Sequence, residues 1–460
     1  MIRGLEATRR YVGFVRDPVA CMRGIFEKYG ELAALFPISP KRAPDRFEIM
    51  CVGPELCRQV LSDPTLFRTT GETLRGPEDS AQNRLRFGLT RMQGTQHKQQ
   101  RQLVMPAFHR KAVEGYHRIM VETAGSVLSE WQVDTVSDIY SQMRNFALRL
   151  ASSVLFSQDL HESLRAGTMI EEWLRKNFSS SVWLFPVNLP GTPYWQMLQH
   201  AGRLEKLILA MIAQRRAQPE GRTDVLAILT QARDEQGNAA TDAELVGQAT
   251  ILFFASFETT ASTMSWTLFL LAQHPEIFSD LTDELQSVLR GEPPTGDQLA
   301  QLPLLERVIK ESMRILPPVP YTVRALMRKI NMGGYRIRQG SRVVCSYYMT
   351  HHLPDLYPEP EKFRPERWLK FDPSPYEYMP FGAGPRSCIG GIFAMQAMKI
   401  SLAMILQRFR LQVVPGSRID RAVRVTMNPR HGIPMKIGGP GSQLSRSAVR
   451  GNIHDMVDMA

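Results

Sequence analysis

The sequence predicts a mainly α-helical protein with a minor β part, and three observations carry that expectation. Apolar residues recur at helical spacing through most of the stretch from Gln96 to about Leu289. Short runs rich in β-branched and aromatic residues take over from Pro317 to Tyr348, divided by turns at Gly333-Gly334 and Gln339-Gly340. A chain of 460 residues, 43% of them hydrophobic, also holds enough apolar material for one large core. Residues 1–438 are therefore expected to form a single domain, with 439–460 as a flexible C-terminal tail.

Taken in order, Val19 to Tyr29 has a helical pattern and Arg46 to Val52 reads as a strand. The segment from Phe185 to Gly191, with two prolines and a glycine, splits the helical region into two blocks, and Leu204 to Arg216 resumes the apolar face. A long helix should begin near Asp242 and stop at His274-Pro275, since proline cannot continue it. A proline-rich irregular segment runs from Leu353 to Pro380. A last helix, from about Ile389 to Arg408, leads into short strands with a turn at Asn428-Pro429.

The net charge of +11 raises the question of nucleic acid or an anionic membrane. Lys and Arg are scattered, with no long basic run and no interleaving with aromatics, so no nucleic acid partner is expected. Ala249 to Ala272 is apolar enough to suggest a membrane span, but Glu258 sits in its middle beside Ser and Thr. A charge there is expensive in lipid, and a buried central helix fits better. The N-terminus has no apolar signal segment. A cytoplasmic monomer without a membrane anchor is expected. The five cysteines, Cys21, Cys51, Cys57, Cys345 and Cys388, match no disulfide framework and no CxxC pattern. The first four are read as small hydrophobes.

Cys388 stands apart. In Phe381-Gly382-Ala383-Gly384-Pro385-Arg386-Ser387-Cys388-Ile389-Gly390-Gly391, glycine and proline force a tight turn directly before an apolar helix. A cysteine at that junction lies near a helix N-terminus, where the dipole and free N–H groups favour thiolate. Gly390 would let a planar ligand approach the backbone. A buried structural cysteine in a glycine-rich turn is the bland alternative. The loop resembles the haem-binding signature FxxGxRxCxG of the cytochrome P450 family at every fixed position: Phe381, Gly384, Arg386, Cys388 and Gly390.

Further segments are similar to that family in the same order. Glu311-Ser312-Met313-Arg314 resembles its ExxR helix motif. The resemblance implies a buried structural triad of Glu311, Arg314 and Arg367, the last from Phe363-Arg364-Pro365-Glu366-Arg367-Trp368. Ala255-Ser256-Phe257-Glu258-Thr259-Thr260 is similar to the oxygen-activation stretch, with Ser256 where the family usually has Gly. An acid beside a hydroxyl in an apolar helix is costly unless used or satisfied. Proton delivery at the haem would use Glu258 as source and Thr259 as nearer donor; a Thr bonded to its own helix and a Glu with a buried partner is the other reading. His97-Lys98-Gln99-Gln100-Arg101 resembles the family's propionate-binding helix start, and Arg324 and Arg386 would be further propionate partners.

The resemblance implies a cytochrome P450 fold, with haem b buried between the long helix and the cysteine-loop helix and Cys388 as axial ligand. It implies insertion of one oxygen atom from O2 into a small apolar substrate, by hydroxylation or epoxidation, within secondary metabolism. Terpenes, fatty acyl chains, steroids and polyketides all fit. Cofactor-facing residues would be His97, Arg101, Ala255, Arg324, Phe381, Arg386 and Gly390. The pocket would be lined by Ile251, Phe254, Ala255, Thr259, Val319 and Pro320, roofed by Thr69 to Arg91 and the region from Phe178 to Tyr194. The chain ends soon after the family's last strands, so electrons are expected from an external ferredoxin or flavodoxin with its reductase, docking near Lys98, Arg101, Arg110 and Lys111. A haem-thiolate protein that only binds ligand, or a peroxide-driven or isomerising member, would not need the Glu258–Thr259 pair.

Overall fold

The computed structural model describes residues 4–39, 43–71, 73–156, 160–218, 221 and 223–459. Its axis is a helix spanning Asp242–Gln273. Thr241 caps it, accepting from the Glu244 N–H while the Glu244 carboxylate accepts from the Thr241 N–H, which satisfies two of the donors a helix start leaves open. Pro275 follows its last turn and opens the next helix, Pro275–Leu289. Helices Ile139–Phe156, Leu160–Asn177, Pro193–Ala217, Pro303–Ile315 and Gly391–Arg408 pack around it. One apolar core runs from Val19 to Met459 and includes Phe253, Phe257, Met264 and Trp266 of the long helix.

The β part lies to one side. A five-stranded sheet has the spatial order Leu32–Ser39, Ala43–Cys51, Arg342–Ser346, Tyr321–Leu326, Phe67–Thr69. Ala43–Cys51 and Arg342–Ser346 pair in parallel, which sets Cys51 beside Cys345. The break read at Phe185 to Gly191 is the connection between helices Ser180–Leu184 and Pro193–Ala217. No helix among the described residues is long and apolar enough to cross a membrane.

Two expectations are corrected. Asn428-Pro429 is not a turn but part of strand Met427–Pro429, and the chain reverses just before it, where the Arg424 N–H donates to Thr426 O. Among the described residues that strand forms a two-stranded ribbon with Arg421–Val423, with the Met427 N–H donating to Pro318 O, and such a ribbon tolerates the missing N–H of proline at its margin. Residues 439–459 are not a loose tail. Ile453, Met456 and Val457 are buried, the Ile419 N–H donates to Arg450 O at 2.7 Å, and the Asp458 N–H donates to Glu361 O at 2.9 Å. The segment reads as polar, but these few apolar side chains meet a ready surface.

Candidate active site

Between the long helix and the loop preceding Gly391–Arg408 lies a cavity of about 460 Å³, within the ordinary range for small-molecule sites. Cys388, Gly390, Phe381 and Arg386 line it from the loop, Ile251, Phe254, Ala255, Ser256, Glu258 and Thr259 from the helix, and Val319 and Arg324 from the β side. His97, Arg101 and Pro320 do not line it; the Pro320 carbonyl accepts from the Tyr348 N–H instead. The roof includes Thr70, Thr73, Arg86 and Arg91 from the expected loop, but of the region from Phe178 to Tyr194 Phe178 alone lines the cavity, with Trp173 and Leu174 coming from the helix before it. A second, polar hollow of about 290 Å³, lined by Arg16, Asp17, Arg418, Asp420 and Arg430, holds none of the motif residues.

The cysteine loop is held from several sides. The Cys388 N–H donates to Phe381 O at 2.8 Å, and Arg101 Nη1 donates to Ser387 O at 2.9 Å. Gly384 has φ +72°, and a Cβ on it would fall 2.3 Å from Leu61 O, so this close crossing accepts only glycine. Cys388 is enclosed by protein, yet its surface is free, because that surface faces the cavity. Burial pushes its thiol above the usual range, opposed by the Gly390 N–H and by Arg101. The Gly390 N–H at the helix start and Arg101 act in the direction expected from sequence, toward thiolate, against that burial. A cation at the sulfur would favour the thiolate further.

Three features fit a haem. The first is that sulfur. The second is a group of arginines with a neutral histidine beside them: Arg386 is lowered to about 10 by burial and then by Arg324 and Arg101, and His97 to about 4 by burial, Arg386 and Arg101, with no carboxylate among the causes. Such mutual repulsion awaits anionic groups, and the two propionates of haem are anionic. Third, a Cβ on Gly390 would meet protein only at 3.9 Å, from the Phe108 ring, so the space beside this glycine is the cavity, open to a flat ligand.

On the helix, both readings of the acid–alcohol pair are visible in the geometry. Thr259 Oγ1 donates to Ala255 O at 2.7 Å, and Ser256 Oγ to Phe253 O at 3.0 Å. Glu258 accepts from Asn428 Nδ2 at 3.1 Å and lies 3.6 Å from Arg144 Nη2; Arg144 also pairs with Glu171. Burial raises the Glu258 carboxyl above its ordinary value, against the pull of Arg144 and Asn428. All three side chains nonetheless line the cavity.

Beneath the loop, Glu311 is fully buried. Arg314 donates to it twice, at 3.0 and 2.8 Å, Arg367 Nε at 3.1 Å, Trp368 Nε1 at 3.0 Å and the Arg364 N–H at 3.1 Å. The Arg–Glu–Arg triad expected from sequence is thus assembled, with Trp368 as a member the sequence did not single out. Burial pushes the Glu311 carboxyl up, but the two arginines win and hold it below the ordinary range.

Comparison with known proteins places this geometry. A sequence profile of the Cytochrome P450 family matches residues 22–433. Cyclooctat-9-en-7-ol 5-monooxygenase of Streptomyces melanosporofaciens is 30% identical over 392 residues, covering 83% of this chain and 84% of that protein. Pentalenene oxygenase of Streptomyces avermitilis is 30% identical over 390 residues, covering 82% and 85%. Among solved structures, retinoic acid bound cyanobacterial CYP120A1 superposes with a TM-score of 0.81, covering 93% of this chain and 96% of that one at 24% identity.

Proposed function

The chain belongs to the cytochrome P450 family of haem-thiolate monooxygenases, and from that premise we propose that it inserts one oxygen atom from O2 into an apolar terpenoid substrate, with haem b ligated by Cys388. One observation carries the reading: Cys388 and the Glu258–Thr259 pair line a single cavity, together with apolar side chains such as Leu174, Phe178, Ile251, Phe254 and Val319. The terpenoid class rests on the two relatives named for cyclooctatenol and pentalenene oxygenation and on a pocket in which Ile251, Phe254, Leu174 and Val319 offer shape rather than hydrogen bonds.

The haem, when bound, supplies the redox chemistry, activating O2 with two electrons under the electron push of a thiolate ligand. The chain's own residues do the rest. Arg324, Arg386 and Arg101 offer positive charge to the propionates and His97 a neutral ring N–H; of these Arg324 and Arg386 line the cavity. Phe381, Ala255 and Gly390 leave the space its plane needs. Glu258, tethered by Asn428 and Arg144, holds a proton above the pH at which an exposed carboxyl would lose it. Thr259 can pass that proton on once its hydroxyl leaves Ala255 O. Electrons arrive from a separate ferredoxin or flavodoxin with its reductase, steered by Lys98, Arg110 and Lys111, all of them exposed.

Two measurements test this. The reduced, CO-bound protein should show the red-shifted band of thiolate ligation, and Cys388→Ser should lose it; survival of the band in the variant would overturn the ligand assignment. Titration with cyclic terpene alcohols, fatty acids and steroids should give the strongest substrate-type shift with the terpenoids. Turnover driven equally well by peroxide alone would remove the roles given to Glu258 and Thr259.

A further inference from the structure

Behind the haem-side sheet, three cysteines from three elements converge. Cys51 closes the strand Ala43–Cys51, Cys345 is its register partner on Arg342–Ser346, and Cys57 comes from the helix Pro54–Leu61. All three are fully buried. Their sulfurs lie within 4.8 Å of one another, with Cys51 Sγ and Cys345 Sγ 3.4 Å apart. Core-filling cysteines need no mutual orientation, yet these side chains point at a common centre inside an apolar cluster of Val60, Leu61, Phe67, Leu326 and Val343.

We propose that Cys51, Cys57 and Cys345 form a closed, three-thiolate site for one soft divalent cation of the zinc–cadmium class. A trigonal ion at about 2.3 Å from each sulfur sets the sulfurs about 4 Å apart, so side-chain rotation suffices and the backbone can stay in place. No carboxylate belongs to the cluster, which disfavours hard cations such as Mg²⁺ and Ca²⁺. Three thiolates and a divalent ion leave one negative charge, and Arg324 supplies an opposing positive charge felt at Cys345. A monovalent soft ion would leave two negative charges in the same apolar surroundings, which is less favourable.

The ion would tie the helix Pro54–Leu61 to the sheet. That helix ends at Leu61, whose carbonyl packs against Gly384 of the cysteine loop, so the site braces the floor beneath Cys388 without touching the reaction.

The test uses haem-loaded protein from cells grown in zinc or in cadmium, washed with chelator and assayed for metal. About one ion per chain should remain, as expected of a buried site that loads during folding, and the cadmium form should show thiolate-to-metal absorption in the ultraviolet. Cys57→Ser and Cys51→Ser should hold less than about a tenth of that while keeping the CO-bound haem band, whereas Cys21→Ser should keep the ion. Full haem with less than about a tenth of an ion in the wild type would overturn the proposal. So would retention of the ion in both serine variants, or an intact mass showing a Cys51–Cys345 disulfide. If the serine variants fail to fold, metal content and ultraviolet absorption of the unmodified protein decide the question alone.

Discussion

Thr259 has one hydroxyl proton and two demands on it. In the resting helix the proton is donated to Ala255 O at 2.7 Å, a bond common to buried helical threonines. During turnover the same hydroxyl has to face the cavity. Thr259→Ala should therefore keep haem and substrate binding but divert electrons to peroxide, with product formed per electron falling on the order of a hundredfold; Thr259→Ser should restore much of it. The check is product against oxygen consumed, and unchanged coupling in both Thr259→Ala and Glu258→Gln would end the relay. At this scale much was legible, because a thiol in a glycine turn and an acid in an apolar helix are each costly in a way the bare sequence reveals. Asn428 was not legible. It reaches Glu258 across 170 residues, and no local pattern marks an amide for a distant carboxylate. The three cysteines were hidden for the same reason, since pairing of two strands far apart in sequence brings Cys51 to Cys345.

Glu311 joins helix Pro303–Ile315 to the segment carrying Arg367 and Trp368. Removing its carboxylate leaves Arg314 buried without a counter-charge, at about 3–5 kcal/mol. Glu311→Ala should give apoprotein or aggregate, and a soluble, haem-loaded, active variant would reduce the triad to ordinary packing. A second joint is Glu306, which bridges Lys399 on helix Gly391–Arg408 and Lys310 on its own helix. Burial alone would raise its carboxyl, but the two lysines win and hold it at about 2 against an ordinary 4.5. A depressed carboxyl stabilises the folded state above its unfolded pKa and loses that contribution as pH falls through the folded value. The stability gap between the wild type and Glu306→Gln should thus be full near neutrality and close between about pH 4.5 and 2, read from thermal unfolding at each pH. A constant gap would mean that the lysines contribute nothing through charge. The helices were readable from periodicity and proline stops. Strand Met427–Pro429 was not, because proline usually signals a turn and only its place at the end of a two-stranded ribbon makes room for it.

For the molecule as a whole, the net charge of +11 is its broadest electrostatic property. Lys98, Arg110 and Lys111 are exposed, whereas Arg101 turns inward to Ser387. Charges on an open surface are screened beyond about 8–10 Å at physiological salt. Reduction by an acidic ferredoxin should therefore slow as salt rises, and Lys111→Glu or Arg110→Glu should flatten that dependence. A rate indifferent to both salt and charge reversal would move the docking face elsewhere. The fold class followed from the sequence because helical periodicity is local, whereas the sheet order depends on pairings across hundreds of residues and appears only in three dimensions.

The packed C-terminal segment has a practical side. Asp458 is stitched to Glu361, a few residues before Arg364 and Arg367 in the chain, so the last residues and the brace under the haem loop form one mechanical unit. Trimming back to Gly438 would strip Ile453, Met456 and Val457 from their seats and loosen that unit. The helix Gly4–Arg16, in which only Ala7 is buried, has no such load and should tolerate changes that residues 439–459 do not.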